Sequence, residues 1–295
     1  MGEGRSIDGG GRESRKVLET LRSRMIDAVY PLNSMLPTQR ALAEEFEVSR
    51  DTVQRALREL AAEGWIVSKQ GSGSRVIKTQ RIQTTSARRP DDPEMSLGRI
   101  ITKAFQEDEV ALDVATLTSE SLSTHIQLQS QRIRSGAKAP QRIRVRLLVP
   151  ADDLDLPYPR AKENPADQRP RERLRGIARR SVQSLQQSLD ELLVEGLVPD
   201  VRLHVRHTTL TPTFKVYLLN GTEALFGLYR PIERRILLDH DDAVEVADVL
   251  GLDASLIHLQ MADDQQPAGA LFVEDAQSWF DSVWHLFTRE GAERK

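Results

Sequence analysis

The sequence predicts an α/β protein built in two parts, and three observations carry that prediction. Up to about residue 63 the apolar residues recur at spacings of three and four, and a glycine-punctuated hairpin pattern follows them. From about residue 95 onward, strand patterns alternate with helix patterns, as in a layered α/β domain. Between the two, the stretch TQRIQTTSARRPDDPE (79–94) is polar, contains two prolines and shows no period, so it reads as a linker. The expected organisation is a disordered tail over 1–14, a first domain over 15–78, the linker over 79–94, and a mixed-sheet α/β domain over 95–295.

The first domain is justified element by element. Val17, Leu18, Leu21, Met25, Ile26 and Val29 make one apolar stripe and predict a helix over 16–30. A turn follows in NSMLPT, where Thr38 stands before a short helix carrying Leu42 and Phe46 four residues apart. Ser49 is placed as the N-cap of the next helix, with Asp51 and Thr52 in its first turn. Val53, Ala56, Leu57 and Leu60 form the buried stripe of that helix. Gly64 stops it. Trp65, Ile66 and Val67 then begin a strand, KQGSGS turns, and Arg75, Val76 and Ile77 return.

In the second domain the pattern predicts a helix over 95–107, a strand over 110–118, a helix over 121–135 and a strand over 142–150. A polar loop over 151–171 precedes a long helix over 174–195 and the strand DVRLHVRH. TFKVYLLNGTEALFGLY reads as two strands joined at Asn220-Gly221, a short-range hairpin signal. LLDHDDAVEVAD reads as an acidic loop leading into a helix, and DAQSWFDSVWHLFTRE closes the chain as an amphipathic helix.

Composition narrows the function classes. The chain has no cysteine, which excludes a disulfide framework, a Cys-ligated zinc site and a thiol nucleophile. No run reaches the roughly 18 to 20 apolar residues of a membrane span, and the polar start MGEGRSIDGGGRESRK lacks the apolar core of a signal peptide. The expected location is the cytoplasm, with no membrane partner. Lys and Arg exceed Asp and Glu by about 5 over residues 1–90, while the remainder is acidic by about 8. An electrostatic footprint for a polyanion is therefore confined to the first domain. Neither GxGxxG after a strand, GxxxxGK nor GxSxG occurs, and no cofactor or metal site is expected.

The ordered elements of the first domain make a winged helix-turn-helix. One helix lies across the phosphate backbone, the next presents its first-turn side chains to base edges, and the hairpin serves as the wing. Arg50, Thr52, Gln54 and Arg55 are placed at the start of the reading helix, opposite Val53, Leu57 and Leu60. Lys69, Gln70 and Arg75 are placed on the wing, with Gly71 and Gly73 permitting close backbone approach. LPTQRALAEEFEVSRDTVQRALRELAAEGWIVSKQGSGSRVI resembles the GntR-type transcription regulators over about residues 15–78. The resemblance implies a dimeric repressor or activator on double-stranded operator DNA, an inverted repeat. It also places Arg40, Ser49, Arg50, Thr52 and Gly71 at positions that touch DNA in such proteins, and Thr38, before the short helix, is a further DNA-binding candidate. Gln54 stands where that family usually carries arginine, which moves one expected contact toward Arg55.

The second domain resembles, by its order of elements and the segment TPTFKVYLLNGTEALFGL, a degenerate phospholipase D-like domain. That superfamily's His-x-Lys, Asp and Gly-Ser spacing is met here by Thr213, Lys215, Asn220, Gly227 and Leu228. Threonine in place of the nucleophilic histidine, and asparagine in place of the carboxylate, imply a non-catalytic module. Lys215 and Asn220, with Arg202 and Arg206 on the outward face of a strand, are the candidate ligand residues for a small anionic effector. His204 shares that outward face and reads as part of a solvated basic surface. The expected function is a sequence-specific DNA-binding transcription regulator, acting as a homodimer with an α/β sensor or assembly domain. The rival is a phospholipase D-like nucleic-acid phosphodiesterase whose winged helix delivers substrate; the missing histidine at 213 favours the regulator.

Overall fold

The computed structural model describes residues 9–26, 29–31, 33–62, 65–69, 73–76, 82–84, 96–238, 242–251, 255–261 and 267–290. The chain divides into two units, one of Met1–Gln80 with Arg235–Val244 and one of Arg81–Arg234 with Glu245–Lys295.

In the first unit, α1 (Gly9–Ile26), α2 (Gln39–Glu45) and α3 (Arg50–Ala62) precede β1 (Ile66–Lys69) and β2 (Gly73–Val76), which pair antiparallel. Val17, Leu18, Leu21 and Met25 of α1 are buried with Leu42 of α2, Val53, Ala56, Leu57 and Leu60 of α3, and Trp65, Ile66 and Val76 of the hairpin. These are the apolar stripes that the periodicity marks, except that Val29, expected in the first of them, lies beyond the end of α1 at Ile26 and is 60% exposed. Helix α1 begins at Gly9, inside the stretch read as a tail, and the buried hydroxyl of Ser14 donates to the carbonyl of Thr52 in α3. Arg24 ties α1 to α2 by an ion pair with Glu45 and by stacking over Phe46 at 5.3 Å. The hydrogen bond to Glu45, opposed by burial, raises the pKa of its guanidinium.

The second unit opens with β3 (Ile82–Thr84) and continues through α4 (Leu97–Ala104), β4 (Glu109–Ala115), α5 (Glu120–Arg134), β5 (Arg142–Pro150), β6 (Arg160–Ala161) and α6 (Arg169–Val194). It then runs β7 (Asp200–Thr208), β8 (Phe214–Leu219), β9 (Glu223–Leu228), β10 (Arg230–Leu237), β11 (Ala243–Leu250), β12 (Leu256–Gln260), α7 (Pro267–Leu286) and β13 (Thr288–Glu290), with residues 235–237 of β10 and 243–244 of β11 falling in the first unit. Eight strands form one mixed sheet in the order β13-β7-β5-β4-β8-β9-β12-β3, and β10, β11 and β6 form a smaller one. Strands β4, β5 and β7 run parallel, which fits the helical crossovers α5 and α6 between them. Strand β8 turns antiparallel against β4 and is followed by the hairpin to β9. Asn220 and Gly221 both have positive φ, 50° and 68°, as the tight hairpin turn requires.

Two apolar cores lie on opposite faces of the large sheet. On one, Val110, Leu112, Val114, Ile143, Val145, Leu147, Tyr217 and Leu219 pack against Leu97, Ile101, Leu122, Ile126, Leu185 and Leu189 of α4, α5 and α6. On the other, Ala115, Leu148, Val216, Leu218 and Ala224 pack under Val273, Phe280, Val283 and Trp284 of α7. Strand β8 is buried from Lys215 to Leu219, as a central strand covered on both faces must be.

Helix α5 is almost wholly buried despite Ser121, Ser123, Thr124, His125, Gln129 and Ser130. Gln129 donates to Thr102 Oγ1 of α4 at 2.8 Å, and Ser130 to the carbonyl of Ser188 in α6 at 3.3 Å.

Several elements depart from the sequence expectation. Ile82–Thr84, within the stretch read as a linker, adds an edge strand pairing parallel with Leu256–His258. Helix α6 starts at Arg169 rather than 174, because Pro170 suits a first helical turn. Ala243–Leu250 is a strand, where a helix was expected. The last helix ends at Leu286, and residues 288–290 turn back as the edge strand against β7.

Candidate nucleic-acid interface

The α2–α3 pair is set by its caps. Thr38 is extended (φ −61°, ψ 154°) and its hydroxyl accepts from the amide of Ala41 at 3.2 Å. Ser49 Oγ accepts from the amide of Thr52 at 3.1 Å, fixing where α3 begins. With the stripe Val53, Ala56, Leu57 and Leu60 turned inward, Arg50, Asp51, Gln54, Arg55 and Arg58 form the exposed face of α3. Arg58, which the motif does not single out, stands four residues after Gln54 and three after Arg55 and so continues the same face. Arg40 is exposed on α2, held by its Nε donating to Glu44 Oε1 at 2.9 Å.

Thr52 does not belong to this face. It is 2% exposed, and its hydroxyl shares a 2.8 Å hydrogen bond with Ser49 Oγ. The residue lies one helical step from the apolar stripe, beneath α1, where Ser14 donates to its carbonyl. The expectation that Thr52 touches bases is therefore corrected: it shapes the start of α3 from below.

The wing is anchored at its base. Residues 33–36 run beside β2, with Asn33 N donating to Val76 O at 2.8 Å, Val76 N to Ser34 O at 2.9 Å and Leu36 N to Ser74 O at 2.8 Å. Arg75 is exposed, its guanidinium donating to the carbonyl of Asn33 at 3.0 Å. Gly73 has φ +84°, and a Cβ there would stand 3.0 Å from Met35 Cε, so position and packing both select glycine. Lys69 is placed by its backbone at the end of β1; its side chain, and Gln70 and Gly71, lie outside the described residues.

The candidate ligand residues of the second unit do not meet at one place. Lys215 shares the β8 face of Tyr217 and Leu219, is 2% exposed, and donates to the carbonyl of Gly251 at 2.7 Å. Asn220 Oδ1 accepts from the amide of Ala111 at 2.8 Å and its Nδ2 donates to the carbonyl of Ala104 at 3.2 Å, so its role is to seat the hairpin. Arg202 and Arg206 lie on the opposite face of the sheet, since Val201, Leu203 and Val205 turn toward the core that contains Tyr217. Arg206 donates to the carbonyl of Trp284 at 2.8 Å and stacks over its ring, whereas Arg202 is exposed beside Asp200. Gly227 is explained by contact: a Cβ there would stand 2.8 Å from Ser255 O and 2.9 Å from Leu256 Cδ2.

A partly buried charged group joins α4, β9 and β12. Glu223 accepts from Lys103 at 2.6 Å and pairs with His258 Nε2 at 2.7 Å. Burial alone would push its carboxyl up, but the hydrogen bonds from His258, Lys103 and Gln260 outweigh it and hold the pKa at about 2. Among the described residues no group of three or more His, Asp and Glu could hold a metal ion, and no helix is long and apolar enough to cross a membrane. Asp239, His240 and Asp241 of the acidic loop lie outside the described residues.

Comparison with known proteins finds likeness in the first unit. Residues 13–76 match the family model described as bacterial regulatory proteins, gntR family. Over 118 residues the chain is 30% identical to the uncharacterized HTH-type transcriptional regulator YdfD of Bacillus subtilis, covering 38% of this chain and 24% of that protein. Over 63 residues it is 38% identical to the HTH-type transcriptional regulator GmuR of Bacillus subtilis, covering 21% of this chain and 27% of that protein. The chain thus spans about a quarter of the length of these relatives. Among solved structures, one described as mutant ORR3 in complex with the NTD of AraR is 30% identical, covers 22% of this chain and 91% of that one, and has a TM-score of 0.22. The N-terminal segment is GntR-like, and the relatives that match it are named as transcriptional regulators.

Proposed function

We propose that the protein is a sequence-specific, DNA-binding transcription regulator. The observation that carries this reading is the capped start of α3, which presents Arg50, Gln54, Arg55 and Arg58 on one exposed face while the apolar face is locked under α1. A helix so arranged fits the major groove, with the β1–β2 hairpin beside it as the wing. The GntR-family match over residues 13–76 supports the same reading. Arg40 and the Arg75 edge of the wing are assigned to phosphate, and the α3 face to base edges.

One such unit covers too few base pairs for a tight specific site, so two copies acting on an inverted repeat are part of the proposal. The second unit is assigned a non-catalytic role in sensing or assembly. Its phospholipase D-like character rests on element order and residue spacing. Thr213 supplies no histidine nucleophile, and the buried Lys215 is occupied with a backbone carbonyl. The cytoplasm is the compartment in which such a regulator would act.

The test is selection of binding sequences by the full-length chain from a random DNA pool, with light scattering of the same protein. Enrichment of a two-fold symmetric motif, with affinity falling steeply as salt rises and a dimeric mass, is expected. Recovery of no shared motif would overturn the proposal.

A further inference from the structure

The face of the large sheet that carries α7 is unusually rich in arginine. Arg142, Arg144 and Arg146 alternate outward along β5, and Arg202, His204 and Arg206 do so along β7. The parallel register sets Arg144 directly beside Arg202 and Arg146 beside His204. Neighbouring strands are about 4.8 Å apart, so the two arginines stem from adjacent backbone positions on one face.

Most of these cations are already answered. Arg142 pairs with Asp200 at 2.8 Å and Glu109 at 3.2 Å. Arg146 pairs with Asp113 at 2.5 Å and Asp281 at 2.8 Å, and stacks over Phe280. Arg206 is spent on the Trp284 carbonyl and ring. Arg202 shares the single carboxylate of Asp200 with Arg142 and keeps 64% of its side chain exposed. Among the described side chains of this face, five arginines meet four carboxylates. Among the described residues Arg144 has no hydrogen-bond or ion-pair partner, and both it and His204 are exposed. Helix α7 crosses β12, β9, β8, β7 and β13, and among the described residues the Arg144–Arg202 stretch is left exposed.

We infer that Arg144, Arg202 and His204 form a binding site for a small phosphate-bearing ligand on this open corner of the sheet. Two adjacent arginine forks and an imidazole suit the oxygens of a phosphate or diphosphate. The size of the ligand follows from what borders the spot. Asp200 and Glu109 lie toward one end of the strands and Asp113 and Asp281 toward the other, so a long polyanion laid along the face would meet carboxylates on both sides. Of these carboxylates, a compact anion centred between Arg144 and His204 would meet Asp200 alone, through its pair with Arg202 at 3.1 Å. The site is independent of α3 and of the DNA-binding reading.

The test is calorimetric titration of the full-length protein, without DNA, with inorganic pyrophosphate at low ionic strength. Saturable binding of one pyrophosphate per chain is expected, weakened at least about tenfold by Arg144→Ala and by Arg202→Ala, each with an unchanged unfolding midpoint. Arg144→Gln, which keeps much of the side chain's bulk, should behave as Arg144→Ala does, and Arg175→Ala on α6 should bind as wild type. Absence of saturable binding, or binding that survives the Arg144→Ala/Arg202→Ala double variant, would overturn the inference. So would a loss of DNA affinity in that double variant measured without pyrophosphate, because the patch would then be a DNA contact.

Discussion

Thr52 and Arg50 stand two residues apart at the start of α3, and the structure gives them opposite roles that one pair of substitutions separates. Thr52→Val replaces a hydroxyl with a methyl in a site that is 2% exposed, so volume is nearly conserved and no cavity opens. The hydrogen bond to Ser49 Oγ is lost, yet Ser49 is exposed and can turn its hydroxyl to water, and the bond from Ser14 goes to the Thr52 carbonyl, which remains. No buried polar atom is orphaned. The loss of stability should therefore be that of one neutral hydrogen bond, about 0.5–1.5 kcal/mol. Arg50→Ala removes an exposed side chain and should leave stability within about 0.5 kcal/mol of wild type. Urea unfolding measures both. Gel-shift competition among sequence variants of the selected site, at fixed salt and well below the unfolding midpoint, measures recognition. Thr52→Val should keep the rank order of sites, and Arg50→Ala should lose discrimination at one base pair by roughly 1–3 kcal/mol. If Thr52→Val re-ordered the sites while unfolding as wild type does, the placement of Thr52 beneath the reading face would be refuted.

Three further outcomes are expected. Lys215→Ala and Lys215→Met both free the Gly251 carbonyl, but only Lys215→Ala also opens a cavity, so it should destabilise the protein by about 2–4 kcal/mol against under about 1.5 kcal/mol for Lys215→Met; urea unfolding distinguishes them. Gly227→Ala forces a Cβ against the Ser255 backbone and should lower stability by about 1–3 kcal/mol, visible as a lower thermal midpoint. The carboxyl of Glu223 is depressed from 4.5 to about 2, so its contribution is complete above its unfolded value and fades as pH falls through the folded one. Wild type should thus lose more stability than Glu223→Gln between pH 5 and pH 2 in acid titrations followed by circular dichroism.

What can be read from the chain alone depends on how local the determinant is. The α2 and α3 starts are legible because Thr38 and Ser49 act on amides three residues away. The β8–β9 turn is legible because Asn220-Gly221 names its own conformation. Thr52 is not legible, since a threonine in a first turn looks the same whether it faces a groove or a neighbouring helix, and α1 decides which. Lys215 misleads for a related reason: its acceptor, Gly251, is 36 residues away. Edge strands fail differently. Ile82–Thr84 and Thr288–Glu290 are three residues long, too short to show any alternation, and exist only because β12 and β7 offer them a partner. The α7-side basic face is half legible: alternation places Arg202, His204 and Arg206 together, but the neighbouring Arg144 requires the parallel register of β5 on β7.

The polar residues buried along α5 have a consequence for how many ways the second unit can settle. A helix surrounded by greasy side chains on every side resembles a smooth rod in oil, able to slip by a turn or rotate with little penalty. Gln129 and Ser130 abolish that freedom, because their acceptors, Thr102 and Ser188, belong to two different helices. A rotation of one residue step would strand both donors and drive Arg132 toward the interior. The helix is keyed like a pin in a lock, so misassembled arrangements of α4, α5 and α6 are raised in energy, and the sheet above them is laid down on a single foundation.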